Sequence, residues 1–207
     1  MKKLIAASIL FTLTAIEANR LIKTEETYDP IAQTGDLIFQ TEVGNSNAFA
    51  IQVATLSVYN HVGVVVKEKD GFYVYEALGS VKKTSLDNYV NRKQTGSRFV
   101  VYRHEDITAQ SQRKIKNYLK RKTGIPYDTK LSWNDKKMYC SELAYKAITN
   151  SDLNLADPQK MEDLTLLTHV SKIIPSSYVF QLNKDENIVS PGYLSKDNNL
   201  KKVYQNW

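Results

Sequence analysis

The sequence predicts an α+β fold in which an antiparallel sheet packs on a helix that starts at Cys140. Three observations carry this expectation. Residues 61–66 are a β-branched run, and Glu68-Lys69-Asp70-Gly71 turns it back into the aromatic run at residues 72–77, the pattern of a hairpin. Short apolar runs at residues 37–40 and 98–103 supply further strands. After Cys140, the residues Leu143, Ala144, Ala147 and Ile148 recur at helical spacing, so that helix has one apolar face to bury.

Taken in order, residues 1–18 read as an export signal. Met1-Lys2-Lys3 is basic, and residues 4–16 are apolar and uncharged. The run is too short for a membrane span. Ala15 and Ala18 are the small residues available for cleavage, but Leu13 and Ile16 upstream make the site poor. An uncleaved anchor and a core helix are the alternatives. The segment holds no cysteine, which excludes a lipoprotein anchor. Export sets the expected location as periplasmic or secreted, with membrane contact confined to this segment. Residues 19–207 are expected to form one domain, opening on a polar stretch that ends at the turn Asp29-Pro30.

Thr34-Gly35-Asp36 turns into the strand at 37–40. Asn45-Ser46-Asn47 caps a helix over residues 48–56, with Phe49, Ala50, Val53 and Ala54 on one stripe. Past the hairpin, residues 79–89 read as a loop entering a short helix. Thr108 starts a helix to about residue 122, with Ile115, Tyr118 and Leu119 inward, and Thr123-Gly124-Ile125-Pro126 stops it. Tyr127-Asp128 and Leu131-Ser132-Trp133 form an irregular connection to Cys140. Beyond Asn150 the expected elements are a helix over 161–174, stopped by Pro175, and an extended piece at 188–192. The polar tail to Trp207 suggests no element.

Composition narrows the function classes. The chain has 207 residues, 42% hydrophobic and 24% charged, ordinary values for one globular domain. The net charge of +6 is spread along the chain, densest at Lys82-Lys83, residues 113–122, Lys136-Lys137 and Lys201-Lys202. No nucleic-acid-binding signature accompanies these runs, so no nucleic-acid partner is expected. Attraction to an anionic surface stays open. A single cysteine excludes an internal disulfide and a cysteine-based zinc cluster.

That cysteine stands where a thiolate is favoured. The first turn of a helix presents unpaired N–H groups and the positive end of the helix dipole, which lower a thiol pKa. The bland reading is a small buried apolar residue. Cysteine chemistry also needs a base, a group that orients the base and an oxyanion donor. His61 is the leading base, at the start of a strand between Asn60 and Gly63. With residues 67–70 as the loop, Val66 faces Gly71 and His61 faces Glu76, their Cβ atoms about 5 Å apart. A shift of two residues keeps the pair diagonal on one face, and a slip of one separates it. Glu76 would hold the imidazole tautomer. The Cys140 amide is a candidate oxyanion donor, and a side chain earlier in the chain could add a second.

The other histidines suggest structure. His104 lies in a charged loop beside Arg103 and Glu105, where it is expected to be solvated, and His169 lies in a surface helix. No second histidine stands at ligand spacing from His61, so no metal and no other cofactor is expected. Tyr139 is either core packing or a lid on the pocket.

Five motifs occur in series: Thr34-Gly35-Asp36-Leu37-Ile38-Phe39, Asn60-His61-Val62-Gly63, Tyr75-Glu76-Ala77-Leu78-Gly79, Gly124-Ile125-Pro126-Tyr127-Asp128 and Tyr139-Cys140-Ser141-Glu142-Leu143. Together, and in this order, they resemble the YiiX/YaeF-like permuted papain amidases, relatives of the NlpC-type cell-wall peptidases and the lecithin–retinol acyltransferases. The resemblance covers residues 31–150. It implies a circularly permuted papain-like fold, with the histidine strand ahead of the cysteine helix. It further implies Cys140 as nucleophile, His61 as base and Glu76 as orienting group. Tyr139, Tyr127 and Asp36, inside matching motifs, are the expected substrate-binding residues. The expected activity is a thiol hydrolase of amide bonds, in peptides or cell-wall stem peptides. The alternatives are a lipid acyl hydrolase or acyltransferase on the same residues, and an exported binding protein without turnover.

Overall fold

The computed structural model describes residues 28–41, 57–92, 98–164 and 183–207. Its strands are β1 (Leu37–Thr41), β2 (His61–Glu68), β3 (Gly71–Leu78), β4 (Ser80–Ser85), β5 (Arg98–His104), β6 (Gln159–Lys160), β7 (Asn187–Ile188) and β8 (Leu200–Gln205). Its helices are α1 (Leu86–Val90), α2 (Ala109–Lys122), α3 (Cys140–Thr149) and α4 (Pro191–Leu194). Six strands make one sheet in the order β4-β3-β2-β1-β5-β8, antiparallel at every step. The strands β6 and β7 pair separately. Ile31–Trp207 is one compact unit. This is the α+β architecture expected, with α3 packed on β2 and β3.

The centre of the sheet is buried on both faces. Val62, Val64, Val66, Leu37, Phe39 and Val100 share a core with Ile115 and Leu119 of α2 and with Leu143, Ala147 and Ile148 of α3. The alternate residues Ile38, Val65, Val74 and Val101 are fully buried as well. A strand covered on both sides needs apolar residues at every position, which is why residues 62–66 read as a run rather than an alternation. At about 25 cal/mol per Å² of apolar surface, each such side chain contributes on the order of 2 kcal/mol.

Two helix boundaries follow from local chemistry. Thr108 caps α2, accepting from the Ser111 N–H through Oγ1 at 3.2 Å, while Ser111 Oγ accepts from the Thr108 N–H at 2.8 Å. Past Lys122, Gly124 takes φ 91°, left-handed backbone that ends the helix at little cost to glycine.

Six expectations are corrected. His104, expected to be solvated in a charged loop, instead ends β5 and is buried. The hairpin turn is shorter than residues 67–70: Glu68 pairs with Gly71, leaving Lys69-Asp70 as the turn. Residues 80–85 form β4 rather than a loop, and the polar tail supplies β8. Residues 161–163 form a single 3-10 turn after β6. At 188–192, Ile188 ends β7 and Ser190 caps the short α4, with Pro191 in its first turn. The helix expected over 48–56, most of that over 161–174, His169 and the export signal at 1–18 lie outside the described residues. Among the described residues, no helix is long and apolar enough to cross a membrane.

Candidate active site

Cys140 opens α3, with Tyr139 before it in extended conformation at φ −97° and ψ 167°. Helix geometry therefore aims the first N–H groups of α3 at the sulfur's side of the helix. The residue is 5% exposed. His61 and the backbone at Val62 and Ser141 lie close enough to the sulfur to favour its thiolate form. His61 is the first residue of β2 and 7% exposed. Its Nε2 meets Glu76 Oε2 at 2.8 Å, which leaves Nδ1 for the sulfur.

The register explains the contact. The β2–β3 ladder runs from Val64↔Tyr75 to Glu68↔Gly71, and continued outward it sets Glu76 opposite Gly63. His61 is thus the diagonal neighbour of Glu76, on the same face and within reach of a long side chain. Gly63, opposite Glu76 in that ladder, has little room for a side chain. A Cβ there would stand 2.3 Å from Val74 Cγ1 and 3.4 Å from the Tyr89 ring.

The carboxylate has further partners. Glu76 is fully buried, and its Oε1 accepts from Thr84 Oγ1 at 2.6 Å and from Arg92 Nη2. Burial alone would raise its pKa, but His61, Arg92 and Thr84 outweigh that and lower it to about 2. For His61, burial works against the cation. The hydrogen bonds to Cys140 and Glu76 overcome it and raise the pKa to about 9. For Cys140, burial works against the thiolate, and His61 with the backbone at Val62 and Ser141 reverses the balance and lowers the pKa. The three shifts favour a thiolate–imidazolium pair backed by a carboxylate.

Tyr139 and Ser141, the residues flanking the nucleophile, both grip Val189. The Val189 N–H donates to the Tyr139 hydroxyl at 3.3 Å, and Ser141 Oγ donates to the Val189 carbonyl at 2.6 Å. Tyr139 is 3% exposed, so of its two readings the structure gives core packing that fixes the helix start. Tyr127 is half-buried, linked to Met138 in an isolated bridge. Burial first, then the charge of Cys140, raises its phenol pKa, which puts the phenol in the field of the nucleophile. Asp36 lies elsewhere. It is fully buried, and Arg103 donates to both its oxygens, Nε at 2.7 Å and Nη2 at 2.9 Å. Since Gln40 is the residue paired with His61, Asp36, just ahead of β1, stands four positions back, about 13 Å away at the rise of a strand. It joins β1 to β5.

Sequence reasoning missed Thr84, Arg92 and Tyr89. The Tyr89 ring stacks with His61 at 6.0 Å and 29°, and its hydroxyl donates to the Ile38 carbonyl at 3.0 Å. The only signal was indirect: an anionic third member, once buried, requires a cation.

The arrangement suits acyl transfer to sulfur rather than metal binding. His61 Nε2 is committed to Glu76 Oε2, and the Cys140 thiol acts on the same ring. Among the described residues, no group of three or more His, Cys, Asp or Glu side chains is placed to hold a metal ion.

A cysteine at a helix N-terminus facing a histidine on an adjacent antiparallel sheet defines a papain-like thiol hydrolase. Here the histidine strand precedes the cysteine helix, the permuted order. The chain belongs to the family described as permuted papain-like amidase enzyme, YaeF/YiiX, C92 family, whose model matches residues 31–204. It is 34% identical to the uncharacterized protein YiiX of Escherichia coli strain K12 over 178 residues, 84% of this chain and 87% of that protein. The crystal structure of YiiX from Escherichia coli O157:H7, titled a metalloprotein, superposes with a TM-score of 0.77. It is also 34% identical, and the match covers 84% of this chain and 98% of that one. The protein is accordingly an amidase of the cysteine-peptidase type.

Proposed function

We propose that Cys140, His61 and Glu76 form the triad of a thiol hydrolase that cleaves peptide amide bonds, with exported cell-wall stem peptides as its natural setting. The observation that carries this is the chain of contacts from sulfur to imidazole to carboxylate, 2.8 Å at its second link.

The Cys140 thiolate attacks the amide carbonyl carbon, forming a C–S bond and an oxyanion. The Cys140 N–H and the Tyr127 hydroxyl are the donors for that oxyanion. As the intermediate collapses, the C–N bond breaks and imidazolium His61 gives its proton to the leaving amine. Neutral His61 then takes a proton from water, whose oxygen attacks the thioester carbonyl. The acid leaves and the thiolate–imidazolium pair returns. Glu76 holds the ring throughout and stabilises its cationic form.

The test is hydrolysis of peptides, peptidoglycan fragments and acyl lipids by the purified protein, with Cys140→Ala as control. Release of free amines from a peptide or peptidoglycan substrate, abolished in Cys140→Ala, is the expected result. Turnover of acyl lipids alone, or amide cleavage that survives Cys140→Ala, would overturn the assignment.

A further inference from the structure

The two oxygens of Glu76 are held differently. Oε2 faces His61, while Oε1 is bound by Thr84 and by Arg92. The Glu76 side chain is fully buried and that of Arg92 is 22% exposed, so the guanidinium reaches in from the rim of the site. It lies over the Tyr89 ring, Cζ 4.7 Å from the centroid, and that ring stacks with His61. Tyr89 is fixed in turn: Gln40, which pairs with His61 in the β1–β2 ladder, donates from Nε2 to the Tyr89 carbonyl at 2.8 Å. Arg92, Tyr89, His61 and Glu76 therefore close a ring of contacts behind the nucleophile.

A buried carboxylate with one partner would be free to rotate, or to take up a proton and become a donor. Either change would release the imidazole. We propose that Arg92 is a positioning residue of the triad: it binds the outer oxygen of Glu76, commits the inner oxygen to His61, and sets the ionisation of the whole chain of groups. This rests on the triad reading given above. It also explains how the enzyme uses a full negative charge as its third member. A fully charged carboxylate attracts the imidazolium strongly. A guanidinium on the far oxygen offsets part of that attraction.

Among the described residues, charged and titratable groups approach Glu76 from several elements. His61 faces it from β2 and Arg92 from beyond α1, with Cys140 of α3 behind His61. Lys82 stands opposite it in the β3–β4 ladder, and Tyr127 faces Cys140. Removing the Arg92 charge favours imidazolium and disfavours thiolate, so both ionisations move to higher pH.

The experiment is the pH dependence of Cys140 alkylation by iodoacetamide in the full-length native protein, Arg92→Met and Arg92→Lys. Alkylation needs no substrate and reads two inflections, one where the thiol ionises and one where His61 loses its proton. The expected result is an upward shift of both inflections by about one pH unit in Arg92→Met, restored in Arg92→Lys. Slower alkylation at every pH with unmoved inflections would reduce Arg92 to packing and overturn the proposal. So would an Arg92→Lys profile that matches Arg92→Met. Thermal melts confirm that the variants fold, and Arg92→Gln replaces Arg92→Met if the latter does not. Native protein showing one inflection, in the range of an ordinary thiol, would instead overturn the triad reading, and this proposal with it.

Discussion

His61 and Glu76 are fifteen positions apart in the chain and 2.8 Å apart in space. They meet as diagonal neighbours across β2 and β3, because the hairpin turns on Lys69-Asp70 and shifts the ladder by two residues. An even shift keeps both side chains on one face of the pleat. The pairing of base and orienting group is therefore a property of the turn as much as of the two residues.

Glu76→Gln keeps the size of the side chain and removes its charge. Imidazolium loses its partner, and Arg92 loses its anion. Hydrolysis is expected to fall about 10²-fold in kcat with KM little changed, measured on a peptide substrate that the native enzyme turns over.

The pH profile follows from the two shifts at the nucleophile. Cys140 ionises below the ordinary thiol range, and His61 keeps its proton until about 9. The reactive pair therefore exists between these points, and hydrolysis rises as Cys140 ionises and falls as pH passes 9. His61→Ala is expected to move Cys140 alkylation up to the range of an unassisted thiol, read by iodoacetamide consumption against pH.

Tyr127→Phe separates oxyanion binding from thiolate formation. Its hydroxyl lies in the field of Cys140 but is not the group that ionises it. The expected result is a loss of about 10²-fold or more in kcat with alkylation at neutral pH nearly unchanged. Equal losses in both assays would assign Tyr127 to packing.

Glu142 gives a stability signature. It is fully buried two residues past the nucleophile, and burial raises its pKa to about 7, with Lys146 at 2.7 Å opposing. The folded state thus binds the proton more tightly than the unfolded chain, whose value is 4.5. Stability from this group is lost as pH rises from 4.5 to 7. Glu142→Gln should flatten that part of a plot of Tm against pH. Glu76 has the opposite sign in a lower window. Its stabilisation is present above 4.5 and lost as pH falls toward 2.

Gly63→Ala tests the close approach beside the triad. The new methyl group would lie 2.3 Å from Val74 Cγ1. Overpacking of this kind costs about 1–3 kcal/mol, so denaturant melts should show a loss of that size.

Much of the architecture is legible in local residues. The β2–β3 hairpin, β5, α2 and α3 each announce themselves through β-branched runs or helical periodicity that burial then rewards. The edge strands β4 and β8 do not. Both carry paired lysines, Lys82-Lys83 and Lys201-Lys202, which read as solvated loop. At the margin of a sheet, charge is what discourages pairing with another chain, so the feature that hid these strands is the one suited to their place.

By itself, the sequence determined the chemistry on offer: one thiol at a helix start, one histidine opening a strand, and one carboxylate at the right parity on the next. These depend on residue type and on periods of 2 and 3.6, which local composition controls. Only the tertiary structure decided the partners. Arg92 binding Glu76, Val189 bracing both neighbours of Cys140, and Arg103 taking Asp36 away from the site all span separate elements. The reason is that a buried charge must find a counter-charge wherever packing brings one, and no local period encodes which one that will be.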